Sequence, residues 1–186
     1  MIDHIFGVIA LWDMYWVEQA ASLHTPFLDH IMISMTHLGD WGMVWMGMIV
    51  GLFFYQKFRI QSSILLAGLC VNILLGEVIL KHIFHRARPF ETIDSIHLLV
   101  SPPITSSFPS GHASASVAFA LLFTWLFSRK YPIITGIVCI LACLIAFSRF
   151  YLQVHYPSDI LVGIILGCLS AGIVMIGSMK GPFRRI

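Results

Sequence analysis

Apolar residues arrive along this chain in long unbroken runs, separated by short stretches that carry charge, Pro or Gly. The runs lie near 41–56, 61–85, 111–128, 131–153 and 157–179. Each has about 16 to 25 residues, and a helix needs about 20 to cross a bilayer core about 30 Å thick. Five transmembrane helices follow. The segment 2–22 differs, because Asp3, Asp13 and Glu18 interrupt it and Trp12, Tyr15 and Trp16 gather in its middle. That is the composition of a helix lying in the membrane interface. Residues 26–38 start at Pro26 and give a helix of about 20 Å, too short to cross unaided, so a short or re-entrant helix is predicted there. The pattern therefore predicts an all-α polytopic bundle, residues 41–179, behind N-terminal interfacial or re-entrant helices, residues 1–38. The N-terminal stretch leaves a sixth span open.

Composition agrees with one membrane-embedded domain over residues 1–186. Apolar side chains make up 58% and charged residues 11%, where soluble domains carry roughly a quarter charged. A net charge of +2 with this hydrophobicity excludes disorder. The 11 Lys and Arg form no run longer than two, which excludes a nucleic-acid partner. Cys70, Cys139, Cys143 and Cys168 all sit in apolar runs as small hydrophobes, so neither a disulfide framework nor a metal site is expected of them. Met1-Ile2-Asp3 lacks the positive start of a secretory signal, so the mature chain is expected to begin at Met1.

Charge placement predicts orientation. Lys57 and Arg59, Arg129 and Lys130, and Lys180, Arg184 and Arg185 occupy connections or ends without neighbouring acids, which marks the cytoplasmic face and puts the C-terminus there. The connection 86–110 and the turn 154–159 then meet on the outer face.

Polar residues converge at that outer level. Lys81, His85 and Arg88 are spaced to share one helix face, with Glu77 a turn below Lys81 and Pro89 ending the helix. Ser110 is the expected N-cap of the segment opened by Gly111-His112, and the free N–H groups of a helix start attract anions. Arg149, His155 and Asp159 flank the next outer turn. Three cations and a helix N-terminus suit a multiply charged oxyanion such as phosphate. Two histidines complete the set: His155, steadied by Asp159, as a nucleophile, and His112 as the acid for the leaving oxygen. No carboxylate cluster suited to Mg²⁺ occurs on this face, so no metal and no cofactor are expected.

On these residues the chain resembles the type-2 phosphatidic acid phosphatase superfamily. Its three motifs read here as Lys81 to Arg88-Pro89, then Pro109-Ser110-Gly111-His112, then Ser148-Arg149 with His155 and Asp159. The resemblance spans roughly residues 25 to 180. It implies phosphate binding by Lys81, Arg88, Ser110, Gly111 and Arg149. It also implies a phosphohistidine at His155, orientation by Asp159, and proton delivery by His112. The implied enzyme is a metal-independent lipid phosphatase of a bacterial cytoplasmic membrane with its site on the outer face. Undecaprenyl pyrophosphate is the first choice of substrate, ahead of phosphatidylglycerol phosphate, phosphatidic acid and lipid A phosphate. The competing class is a non-catalytic lipid-phosphate binder or transporter.

The remaining polar residues receive plainer readings. Arg86 lies off the Lys81 face and is expected to meet solvent or headgroups. Glu77 is expected either to steer Lys81 or to pack against another span. His82 and His85 lack a third ligand, and His24, His30 and His37 read as headgroup contacts. Gly163, Gly167 and Ala171 form a small-residue stripe, expected to pack within the bundle while leaving a homodimer open. The loop 91–108 holds Ile93, Ile96, Leu98, Leu99 and Val100, too apolar for an exposed linker. It is expected to border lateral entry of a lipid together with the N-terminal helix.

Overall fold

The computed structural model describes residues 2–180, with side chains from Gly7 onward. The described residues form helices α1 (Ile2–Ala20), α2 (Pro26–Gly39), α3 (Met43–Phe54), α4 (Arg59–Ile73), α5 (Lys81–Ile83), α6 (Pro89–Thr92), α7 (Gly111–Phe127), α8 (Pro132–Tyr151) and α9 (Pro157–Lys180). A π-helical stretch, Leu74–Leu80, joins α4 to α5. Arg184 and Arg185, used above to orient the C-terminus, lie outside the described residues.

Among the described residues, four stretches are long and apolar enough to cross a membrane: Pro26–Phe54, Gln56–Ile83, Pro132–Tyr151 and Pro157–Lys180. The shorter apolar α7 is the axis of the bundle, packed by α4, α8 and α9. Its Phe119, Leu122, Phe123 and Phe127 form the core with Trp45, Leu65, Leu69 and Ile145. The tryptophan stacks on Phe119 at 4.7 Å between ring centroids, and its Nε1–H donates to Ser116 Oγ at 3.2 Å. That bond satisfies the one polar atom such a ring takes into a core.

The predicted short helix over 26–38 exists as α2, capped by the Thr25 hydroxyl, which accepts from Leu28 N. It is not a separate re-entrant piece. A tight turn at Asp40–Gly42, with positive φ at Trp41 (54°) and Gly42 (66°), bends it directly into α3. Together they form one kinked apolar stretch of 29 residues. Gly42 adopts that left-handed conformation without a Cβ penalty, whereas Trp41 bears one and projects its ring outward, 98% exposed.

The small-residue stripe on α9 is used inside the bundle. A Cβ on Gly163 would lie 2.7 Å from Ser110 O, and one on Gly167 would lie 2.6 Å from Ser114 O. Two backbones approach there because both side chains are hydrogen, and this close approach clamps the start of α7 against α9.

The N-terminal helix turns Asp13, Val17 and Ala20 inward, spaced on one face, and leaves Leu11, Trp12, Tyr15 and Trp16 outward. Its Val17 packs with Ile93, Ile96 and Tyr156. Leu98 and Val100 pack against a second small cluster of Met32, Tyr151, Leu152 and Val154. The apolar residues of the 91–108 loop therefore seat it over the ends of α1, α2 and α8, which explains its composition.

Candidate active site

The helix carrying Lys81 ends at Ile83, so the predicted shared face of Lys81, His85 and Arg88 does not form. His85 is exposed. Arg88 instead arrives on an extended segment, and Pro89 starts the short α6 rather than ending the previous helix. Glu91 accepts from Arg88 N at 2.7 Å and fixes that start. The two cations still converge: Lys81 Nζ donates to Thr105 Oγ1 at 3.1 Å, and Arg88 Nη2 donates to the same hydroxyl at 3.4 Å. Glu77 takes the first of its two expected roles, pairing with Lys81 at 2.9 Å. The same carboxylate lies where a Cβ on Gly111 would come within 2.4 Å of Oε1. Gly111 thus lets Lys81 and the start of α7 share one corner. The π-helical turn that carries Glu77 is a departure of the kind found at functional sites.

Arg88 Nη1 donates to Val154 O at 2.8 Å and faces His155 Nε2 at 3.2 Å. A guanidinium has no lone pair to offer, so His155 Nε2 is the acceptor and its proton sits on Nδ1. Burial pushes the imidazole down to about 3, which keeps it neutral at physiological pH. The ring is thus neutral, with its unprotonated Nε2 facing a guanidinium whose Nη1–H an anion could take over, and that exchange would release the Nε2 lone pair as a nucleophile.

His155 Nδ1 points at Asp159 Oδ2 across 3.6 Å, too long for a hydrogen bond, and Nδ1 has no partner within bonding distance among the described residues. The carboxylate is held by others. Ser107 Oγ donates to Oδ2 at 2.5 Å, Tyr156 N donates to Oδ2 at 3.0 Å, and Arg86 Nη1 donates to Oδ1 at 2.5 Å. Arg86 is therefore not the headgroup contact expected from its position. Although burial opposes its charge, Asp159 and Asp13 hold it above its ordinary value.

Ser110 caps α7, its hydroxyl accepting from Ala113 N, and Ser110 N donates to Asp159 O at 3.1 Å. His112 Nε2 lies 3.1 Å from Asp40 Oδ1 and 3.2 Å from Thr36 O. This nitrogen is committed to the turn between α2 and α3, which leaves Nδ1 for chemistry. Gly39 makes room for the ring, since a Cβ there would sit 2.5 Å from His112 Cδ2. Arg149 Nη1 donates to Thr36 Oγ1, and its buried Nε has no partner among the described residues. A buried guanidinium nitrogen without a protein acceptor fits an anion site.

All eight residues singled out from the sequence thus belong to one connected cluster at one end of the bundle. Thr36, Asp40, Thr105 and Ser107 join them, as do Asp13 and Arg86. The first four gave no sequence signal, lying in a short helix and a loop without motif spacing. Asp13 did give one: a carboxylate set among Trp12, Tyr15 and Trp16 in the middle of the segment.

Residues 56–181 match the family model of the PAP2 superfamily. An undecaprenyl-diphosphatase of Sulfolobus acidocaldarius is 33% identical over 161 residues, covering 86% of this chain and 75% of that one. A decaprenylphosphoryl-5-phosphoribose phosphatase of Mycobacterium tuberculosis is 29% identical over 157 residues, covering 84% of each. The crystal structure of a PAP2-type phosphatidylglycerolphosphate phosphatase from Bacillus subtilis superposes with a TM-score of 0.76 at 28% identity. It covers 95% of this chain and 90% of that one.

Proposed function

Since the chain belongs to the PAP2 superfamily and is a membrane phosphatase, we propose that it removes the terminal phosphate of an isoprenoid lipid pyrophosphate, undecaprenyl pyrophosphate foremost, through a phosphohistidine at His155. The observation that carries this reading is the 3.2 Å contact between Arg88 Nη1 and His155 Nε2. A phosphate held by that guanidinium presents its phosphorus to the lone pair of Nε2.

The residues divide the reaction. Lys81, Arg88 and Arg149, with the N–H groups at Ser110 and Gly111, offset the charge on the phosphoryl oxygens. His155 Nε2 forms the N–P bond while the bond to the leaving oxygen breaks. His112 passes a proton from Nδ1 to that oxygen, and Asp159 offsets the positive charge that the phosphorylated ring acquires. Water then attacks phosphorus with His112 accepting its proton, which frees phosphate and restores His155.

The isoprenoid preference rests on the two polyprenyl-lipid relatives. Phosphatidylglycerol phosphate is the second reading, favoured by the likeness to the Bacillus subtilis structure. We also read the whole chain as one phosphatase domain in a cytoplasmic membrane with its site outside. The support is that Lys57 and Lys130 both lie beside the aromatic cluster of Phe58, Phe127 and Tyr131, at the ends of α4 and α7 away from the site.

The test is phosphate release by purified protein in detergent with EDTA, from undecaprenyl pyrophosphate, phosphatidylglycerol phosphate, phosphatidic acid and a water-soluble ester. The expected result is selective release from the isoprenoid pyrophosphate, abolished in His155→Ala. Undiminished turnover in that variant overturns the nucleophile assignment, and selective release from a glycerolipid overturns the substrate choice.

A further inference from the structure

The N-terminal helix carries a fully buried carboxylate, Asp13, on the inward face of a helix whose other side is aromatic and exposed. Burying a carboxylate is costly unless it is paired and hydrogen-bonded, and Asp13 is both. Its Oδ2 accepts from Arg86 Nη2 at 2.6 Å and from Ser158 Oγ at 2.5 Å, while Oδ1 accepts from Ser158 N at 2.9 Å. The other guanidinium nitrogen, Arg86 Nη1, reaches Asp159 Oδ1 at 2.5 Å and Ser158 Oγ at 2.7 Å. The guanidinium also lies over the Tyr156 ring, 4.1 Å from its centroid. One cation is thus clamped between two buried carboxylates and seated on an aromatic face. Its two charge partners come from opposite ends of the described chain.

We propose that Arg86 is a positioning residue for Asp159, and that Asp13 positions Arg86, so that the interfacial helix α1 is part of the catalytic scaffold. This rests on His155 being the nucleophile. When the N–P bond forms at Nε2 and the bond to the leaving oxygen breaks, with the proton passing from His112 to that oxygen, positive charge collects on the His155 ring. Asp159 answers that charge only if it is ionised and aimed at Nδ1. Ser107 and Tyr156 N hold Oδ2, and Arg86 holds Oδ1. Arg86 is the group among these that brings a full charge. Its guanidinium is spent on Asp13, Ser158 and Asp159, so it acts on the chemical step and not on phosphate capture.

Arg86 is 27% exposed, so a small guanidine in solution has a route to the space it occupies. Arg86→Ala is therefore assayed for phosphate release from undecaprenyl pyrophosphate in detergent, with and without millimolar methylguanidine. The expected result is a fall in kcat of about 10- to 100-fold, the range for partners that orient a reacting ligand from behind. KM stays within about threefold of the parent, and methylguanidine restores a saturable part of kcat; Arg86→Lys also retains part. A folded Arg86→Ala protein whose kcat is undiminished, or whose loss lies in KM alone, overturns the proposal.

Should Arg86→Ala fail to fold, Asp13→Asn carries the same test. It keeps the shape of the side chain and one acceptor oxygen while removing the charge and the second acceptor. A several-fold loss in kcat at constant KM supports the proposal, and full activity overturns the part assigned to α1. Loss of all turnover in His155→Ala beside full activity in Arg86→Ala refutes this inference alone. Turnover that survives His155→Ala refutes the phosphohistidine reading on which it rests.

Discussion

Asp40 offers the sharpest test of how the leaving group is protonated. Its Oδ1 lies 3.1 Å from His112 Nε2, with the Thr36 carbonyl as second acceptor at 3.2 Å. A carboxylate there fixes the ring with its Nε2–H inward, so that on the proposed mechanism Nδ1 is the nitrogen that delivers the proton, and it stabilises the ring while that proton is still held. Asp40→Asn removes the charge and keeps the shape. Two unit charges about 4 Å apart are worth about 4 kcal/mol at the effective dielectric of a protein surface. The Asp40 side chain is 35% exposed, and the Thr36 carbonyl continues to hold the ring. Solvent screening therefore brings the expected loss to about 1–2 kcal/mol, or roughly 5- to 30-fold in rate.

The size of the loss should depend on the leaving group. An alkoxide leaves poorly without a proton, whereas a nitrophenolate leaves unaided, so the test uses a lipid phosphate monoester such as phosphatidic acid. The assay compares kcat of wild type and Asp40→Asn on a lipid phosphate and on a nitrophenyl phosphate ester of similar apolar character. The expected outcome is a roughly tenfold loss on the lipid and a loss under about threefold on the activated ester. Equal losses on both would mean that Asp40 supports the architecture of the α2–α3 turn and not proton delivery. No loss on either would remove His112 Nδ1 as the donor in the orientation described.

Two further outcomes follow from packing and burial. Gly167→Ala puts a Cβ within 2.6 Å of Ser114 O and 2.8 Å of the Val117 side chain; a loss of about 1–3 kcal/mol is expected from such overpacking. Thermal unfolding in detergent should show it, and Gly172→Ala, with nothing within 4 Å of its added carbon, should hold or slightly raise the melting temperature because Ala is the better helix former; equal losses at both sites would refute the α7–α9 close approach. His155 is held neutral down to about 3 by burial, while an unfolded histidine takes up its proton near 6.5. The unfolded chain therefore binds the extra proton between those values, and stability falls with pH there by up to about 1.4 kcal/mol per unit. His155→Gln should lose that share of the slope between pH 6.5 and 4, and identical acid sensitivity would refute burial of the neutral ring.

The membrane character, the apolar helices and the candidacy of eight residues that the structure brings together were legible because each is a property of local sequence. A run of apolar residues has a length, and motif residues have fixed spacing. What escaped was decided by geometry between distant segments. Lys81 and Arg88 lie at a spacing that a regular helix would align, yet a π-helical turn precedes Lys81 and the chain leaves the helix at Ile83. The two cations meet because the extended segment folds back beneath Thr105, a contact that spacing alone does not encode. The short helix over 26–38 is not a separate re-entrant piece but half of one 29-residue apolar stretch, because backbone angles at Trp41 and Gly42 carry it into α3.

Arg86 shows the limit most clearly, and it also indicates where sequence reading improves. Two positions from the motif arginine, it has the sequence context of a surface residue, and its role depends on Asp13, 73 residues away. Asp13 itself broke the local rule: a carboxylate on the buried stripe of an interfacial helix needs a partner, because an uncompensated buried charge is not sustained. An inward acid without a cation on its own helix predicts a cation from elsewhere. With Lys81, Arg88 and Arg149 assigned to phosphate, Arg86 was the remaining cation at that membrane level. Pairing a stranded acid with a spare cation at the same depth would have found the Asp13–Arg86–Asp159 bridge from sequence and topology together.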